Sequence, residues 1–227
     1  MIDEEGIDEL IGKLMPVGSE EATDTSDLPG FLDENLIYFL SKCNAGYSHD
    51  NYFHFFGTNG NEGHDLRKWN SDGLWKKEYG ELVEGYYFFA EDIFGNQFGQ
   101  KIGSKSDEIF MFWVDDGRIK AFANDFLEFI EFTIFEFDIF AKMRKLSVEF
   151  LRSSPRAFTP FHHLSYRKPI LLGGDSGDVN NLEIIDSIAN LKFLGQLVTQ
   201  TRALPIGTRI VDVIIDKEVQ SIRLVPE

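Results

Sequence analysis

The stretch from Glu84 to Phe132 constrains the fold most, because dense aromatic runs alternate there with acidic and glycine-bearing turns. Gly85-Tyr-Tyr-Phe-Phe-Ala90 is a short apolar run of the kind that forms a buried strand. Glu91-Asp92 ends it, and Ile93-Phe94-Gly95-Asn96-Gln97-Phe98 follows. Glu108 to Val114 is a second strand run. Asp115-Asp116-Gly117 supplies a turn, since Asp and Gly tolerate the positive φ of tight hairpins. Arg118 to Ala123 returns as a third strand. Asn124 or Asp125 can cap a helix by accepting from its first free amides. Phe126, Phe129, Ile130, Thr133 and Ile134 then lie three and four apart on one face. The expectation is an antiparallel sheet with a helix returning across one side.

Upstream, Ile7, Leu10, Ile11 and Leu14 have helical spacing, and Pro16 and Gly18 stop that helix. Ser19 to Asp27 reads as a polar loop. Leu28-Pro29 opens a second helix carrying Leu32, Leu36, Phe39, Leu40 and Cys43, with a stop at Asn44 to Gly46. Asn51 to Phe56 reads as a first strand, and Gly57 to Gly63 as a loop whose glycines fit neither a phosphate-cradling nor a dinucleotide pattern. Trp69 and Trp75 anchor the next segment. Helical character continues to about Leu151, with a break near Asp138. Ser153-Ser154-Pro155 marks a boundary. Beyond it, Leu191, Leu194, Leu197 and Val198 make an amphipathic helix, and Arg209 to Ile215 with Val219 to Val225 read as a hairpin. Residues 1–152 are thus expected to form one domain, with 153–227 an extension packed on it.

The chain has 227 residues, and its 22 Phe supply ample apolar surface for a core, each buried aromatic removing about 150–250 Å² from water. No apolar run approaches the roughly 18 residues of a membrane span. The acidic Met1-Ile-Asp-Glu-Glu start differs from a signal peptide's basic one, and the lone Cys43 cannot form an internal disulfide. These features point to a cytoplasmic protein. The net charge of −16 disfavours nucleic acid and anionic membranes as partners. It suits a basic protein partner, and it also serves solubility.

Candidate chemistry is incomplete everywhere. Gly174-Asp175-Ser176-Gly177 echoes a serine-protease nucleophile segment, but Asp178 replaces the next Gly and the upstream chain is not a double barrel. His162 and His163 are adjacent, so a strand would point them to opposite faces. His49, Asp50 and His54 could meet, yet no further ligand completes a metal set. Glu91-Asp92 and Asp115-Asp116 are paired carboxylates read as solvated turn residues, available for partner contact. No catalytic residue, metal or cofactor is expected. One residue of each alternating pair on a strand faces away from the core, which makes Tyr86 and Trp113 candidate interface anchors.

The order Phe88-Phe-Ala-Glu-Asp-Ile-Phe-Gly-Asn-Gln-Phe98, then Phe110-Met-Phe-Trp-Val-Asp-Asp-Gly-Arg-Ile119, then Asp125 to Phe132, resembles the SMI1/KNR4 family, also called SUKH. Leu28-Pro29, Leu36 to Leu40 and Asn44-Ala45-Gly46 resemble its upstream helix, with Ala45 where a Gly is expected. The resemblance spans roughly residues 5 to 135. It implies an α+β fold with a twisted antiparallel sheet and helices packed against it, here extended by a C-terminal helix and hairpin. It further implies a non-enzymatic binding protein, an immunity protein that neutralises a bacterial toxin such as a basic nuclease. The alternatives are a scaffolding or regulatory protein of cell-wall signalling and, further off, a hydrolase using acidic residues. Glu91, Asp92, Asp115 and Asp116 are expected to form an acidic face beside Tyr86 and Trp113.

Overall fold

Seven strands follow one another in chain order across a single antiparallel sheet: β1 (Leu14–Pro16), β2 (Gly46–Ser48), β3 (Phe53–Phe55), β4 (Tyr86–Asp92), β5 (Gln97–Lys101), β6 (Ile109–Trp113) and β7 (Arg118–Ala123). The computed structural model of the chain describes residues 4–17, 24–58, 64–135, 140–216 and 220–227. The expected hairpin is present, with Met111 opposite Lys120 and Trp113 opposite Arg118. Gly117 takes φ +69° in its turn, as a residue without a Cβ can do cheaply. The aromatic run at Asn51 to Phe56 contains β3, which is the third strand of the sheet rather than the first. The two strands before it are only three residues each, too short to leave an apolar pattern in the sequence.

Helices α1 (Glu4–Gly12), α2 (Glu34–Lys42) and α5 (Phe126–Ile130) pack on one side of the sheet. α2 begins later than Leu28-Pro29 suggests, because Asp33 is its cap and accepts from the amide of Asn35 at 2.7 Å. The other Asp33 oxygen accepts from Phe126 N at 3.0 Å, so one carboxylate ties the starts of α2 and α5 together. Phe39 meets Phe55 and Phe126, and Phe53, Phe89, Phe98 and Phe122 meet Phe129, in edge and tilted contacts on this side. Such ring pairs add about 0.5–1.5 kcal/mol each beyond area burial. α5 runs on as a π-helical stretch, Glu131–Phe135. The expected break near Asp138 lies outside the described residues. α6 (Ala141–Ser153) is tied to the sheet by Arg144, whose guanidinium pairs with Asp50 at 2.9 Å and lies over the Tyr52 ring.

The other side carries α3 (Leu66–Trp69), α4 (Lys77–Tyr79) and the last third of the chain. Trp69, Trp75, Tyr79, Phe88 and Phe112 form its core. The C-terminal third contributes β8 (His162–Tyr166) paired with β9 (Leu182–Asp186), then α7 (Ser187–Arg202), then β10 (Ile210–Asp216) paired with β11 (Ser221–Pro226). The expected C-terminal helix and hairpin are both there. α7 crosses α4 at Gly195, where an added Cβ would stand 2.7 Å from Glu78 and 3.0 Å from the Tyr79 ring. Leu164, Leu191, Leu194, Leu197 and Val198 join the same hydrophobic core as the sheet. Among the described residues, no helix is long and apolar enough to cross a membrane.

Candidate functional site

The polar residues best suited to chemistry converge on Glu91 of β4, and a strand irregularity puts them there. Phe88 pairs with Gly99 and Ala90 with Phe98, so Phe89 is an extra residue, a β-bulge. Bulges re-aim the side chains that follow. Strict alternation would place Glu91 on the side of Phe89. With the bulge it shares the side of Phe88, towards Trp69, α7 and β8.

Glu91 is 3% exposed there. Its Oε1 accepts from His54 Nδ1 at 3.0 Å, and its Oε2 from Gln97 Nε2 at 2.8 Å. Gln97 Oε1 in turn accepts from Trp69 Nε1 at 2.7 Å. His163 of β8 brings Nε2 to 3.1 Å from Glu91 Oε2, an ion-pair contact without hydrogen-bond alignment. Burial alone would raise the Glu91 carboxyl. The His163 ring and the hydrogen bonds outweigh that and hold it well below the usual carboxylate range. An ionised carboxylate only accepts, so the proton on His54 sits on Nδ1. Burial keeps His54 below its ordinary value, which leaves Nε2 as an acceptor. His64 Nδ1 lies 2.9 Å from it and must donate. The result is a chain, His64 to His54 to Glu91, oriented by one carboxylate.

His64 ends the chain. Burial and the neighbouring His54 lower its pKa to about 4, so it is neutral near pH 7. Among the described residues its Nε2 has no partner. The Phe161 ring packs 4.6 Å from it. Tyr47 stacks on His54 at 4.2 Å, nearly parallel, and its hydroxyl donates to Pro160 O at 2.5 Å. The same cluster therefore joins the sheet to the C-terminal third: Leu164 N donates to Ile93 O at 2.8 Å, and Phe94 stacks on Tyr166. Gly95, at φ +86°, leaves room for the His163 ring, which would lie 2.6 Å from an added Cβ.

The expected acidic face is corrected by this arrangement. Glu91 and Asp92 are buried, not solvated turn residues, because the bulge turns Glu91 inward and β8 covers the turn that follows. Asp92, 2% exposed, organises that turn: it accepts from the amides of Phe94 at 2.9 Å and Asn96 at 3.0 Å, and from Asn96 Nδ2 at 2.8 Å. Burial outweighs those bonds and raises its pKa to about 6. Asp115 is raised to about 7 by burial and by Asp92 and Asp116. Asp116 pairs with Arg118 at 2.6 Å. Arg202 of α7 donates to the carbonyls of Asp116 and Gly117, so the end of α7 roofs the turn. Tyr86 and Trp113 do reach the surface in part, Trp113 beneath the Arg118 guanidinium.

The histidines also sort differently from the sequence reading. His54 meets Glu91 and His64 rather than His49 and Asp50; His49 is exposed and Asp50 pairs with Arg144. His162 and His163 do point to opposite faces of β8, His162 outward against Arg156 and Thr159. Ser176 sits in an exposed turn stabilised by Asp175 accepting from Gly177 N. The link between Glu91 and His163, 72 positions apart, left no local signal; only the pairing of β8 against the 93–95 turn creates it.

One surface feature stands apart from the buried cluster. β11 is held to α7 by two glutamines one helical turn apart. Gln196 accepts from Ile222 N at 2.7 Å and donates to Gln220 O at 3.0 Å, while Gln200 accepts from Leu224 N at 3.0 Å and donates to Ile222 O at 2.8 Å. These amides occupy the β11 edge as a neighbouring strand would. β10 has β11 on one side and, among the described residues, no strand on the other. It exposes Val211, Ile214 and Ile215.

The chain is thus an α+β protein: a seven-stranded antiparallel meander between two helical layers, with one layer completed by the C-terminal third. Over 95% of its length it is similar to the crystal structure of Atu4351 from Agrobacterium tumefaciens, covering 96% of that chain at 11% identity with a TM-score of 0.51. That likeness concerns the fold. No family model matches the sequence, and no curated relative does.

Proposed function

We propose that the protein is a non-enzymatic binding protein that engages and neutralises a basic protein partner, in the manner of an immunity protein. One observation carries the reading: the carboxylate and histidines most capable of chemistry are packed against one another inside the core, where Glu91 engages His54, Gln97 and His163 and His64 donates to His54. His54, Glu91 and His163 are each 3% exposed or less and leave no side-chain surface for a substrate. The net charge of −16 supports a basic partner through faster encounter. The resemblance of residues 5–135 to the SMI1/KNR4 family supports the same class.

The test is co-expression with basic proteins encoded beside this chain's gene. One of them should arrest growth alone, be tolerated when this chain is present, and co-elute with it at a fixed ratio. Absence of any such protein among the neighbours, together with turnover of a substrate by the purified chain, would overturn the reading.

A further inference from the structure

The charge of the chain is unevenly spread. Residues 140–174 hold seven of its 22 Lys and Arg and one of its 38 Asp and Glu, a local charge of +6 in a chain of −16. Four of the seven cations lie on α6. Met143, Leu146 and Phe150 of this helix pack towards the core, and Ser147 is buried. Ala141, Lys145, Val148 and Arg152, at i, i+4, i+7 and i+11, form a narrow stripe on the opposite side. All but the half-buried Val148 are exposed. A groove of about 600 Å³ runs along this stripe from Ala141 to Ser153, with Glu149, the single acid of the helix, on its flank. Arg144 is held by Asp50, but among the described residues Lys142, Lys145 and Arg152 make no ion pair. Lys142 and Arg144 stand in the first turn, which has no acidic residue. The helix dipole disfavours cations there, so these charges do not serve the helix; they suit an anion met from outside.

The stripe alternates two small apolar residues with two cations, each pair seven positions apart, so it repeats about every 10.5 Å along the helix axis. A partner helix can lie close against Ala141 and Val148, because neither side chain is bulky. Acidic residues on that helix at the same seven-residue spacing would meet Lys145 and Arg152, as flanking charges do between paired helices. Nucleic acid or an anionic membrane would reach past this face onto a surface that is net acidic and be repelled there. Two copies of the chain would each bring −16 to the encounter. We infer that the outer face of α6 docks an acidic amphipathic helix of a second protein, with Asp or Glu seven residues apart against Lys145 and Arg152 and apolar residues against Ala141 and Val148. The cationic face is separate from the acidic surface that a basic partner would use, so this inference goes beyond the reading above and does not depend on it.

The experiment titrates the full chain with a synthetic peptide of three Glu-Ala-Gln-Leu-Ala-Gln-Ala heptads, read by fluorescence anisotropy and by hydrogen exchange. Binding should slow exchange within residues 141–153, weaken as salt rises, and be lost when the Glu of the peptide are replaced by Gln. Lys145→Glu with Arg152→Glu should weaken binding about tenfold. The melting curve should stay in place, since both side chains are exposed. A peptide with Lys in place of Glu should then protect 141–153 in this variant and not in the wild type. No binding, protection elsewhere, or undiminished binding by the reversed variant would overturn the assignment. So would tighter binding of a single-stranded oligonucleotide of matched charge, or a dimer of the chain that the double reversal dissolves. Any of these leaves the basic-partner reading standing, since that reading is tested separately by co-expression.

Discussion

Gly95 is where a single missing side chain decides the architecture. Its backbone is in the left-handed region, and the His163 ring occupies the space a Cβ would need. Gly95→Ala should therefore destabilise the protein by about 1–3 kcal/mol, measured by urea unfolding. Ala45 is also left-handed, at φ +86°, but α2 ends before it on an extended Cys43, so the expected left-handed stop at Asn44 to Gly46 is not what closes that helix. Asp115 sets a pH dependence. Its folded pKa, about 7, lies above the ordinary 3.8, so the native state holds the proton more tightly. Its contribution is full below pH 3.8 and is lost as pH rises through 7. Asp115→Asn removes that loss. Relative to wild type, the variant should gain about 1–2 kcal/mol between pH 5 and pH 8, less than the full shift implies because the side chain keeps some solvent contact. His64 acts with the opposite sign. Its folded pKa, about 4, lies below 6.5, so its contribution is present above 6.5 and is lost as pH falls towards 4. Urea midpoints across pH 4–8 separate the two effects.

Among the elements, α7 does two jobs with its C-terminal half. Its Arg202 end closes the Asp115–Gly117 turn, and Gln196 and Gln200 stand in for a strand beside β11. Replacing both glutamines with Ala should remove four hydrogen bonds to the ribbon, worth together roughly 1–3 kcal/mol of local stability because the freed groups can turn to water. Hydrogen exchange should quicken at residues 221–226 and stay unchanged in β4 to β6. Quickening across the whole sheet would mean the ribbon is part of the main cooperative unit. The elements themselves were largely readable from sequence. The β6–β7 hairpin announces itself through Asp-Asp-Gly between two aromatic runs, α5 through Asp125 and its Phe stripe, and the C-terminal hairpin through its Val and Ile content. What escaped was placement. A one-residue bulge at Phe89 changes no composition, yet it reverses the side on which Glu91 lies. Glu91 and Asp92 look like solvated turn residues because acidic pairs usually are, and it is His54, Gln97 and the distant His163 together that make a buried Glu91 tolerable.

For the whole molecule, the buried cluster links the sheet to the C-terminal third, and chemistry-bearing side chains serve that junction. Breaking such a pair from one side costs about 3–5 kcal/mol because the remaining charge stays buried, so Glu91 variants will report on folding before anything else. His64 is the better probe. It is the outer member of the His64–His54–Glu91 chain, neutral, with Nε2 unpartnered among the described residues, and it is the group that would act as base in a catalytic account. The most direct test is His64→Gln in the co-expression assay, alongside its melting curve. The binding account predicts undiminished protection by the variant, with at most a fall of a few degrees in Tm. An unchanged Tm with protection abolished would contradict it and place the chemistry, not the surface, at the centre of what this protein does.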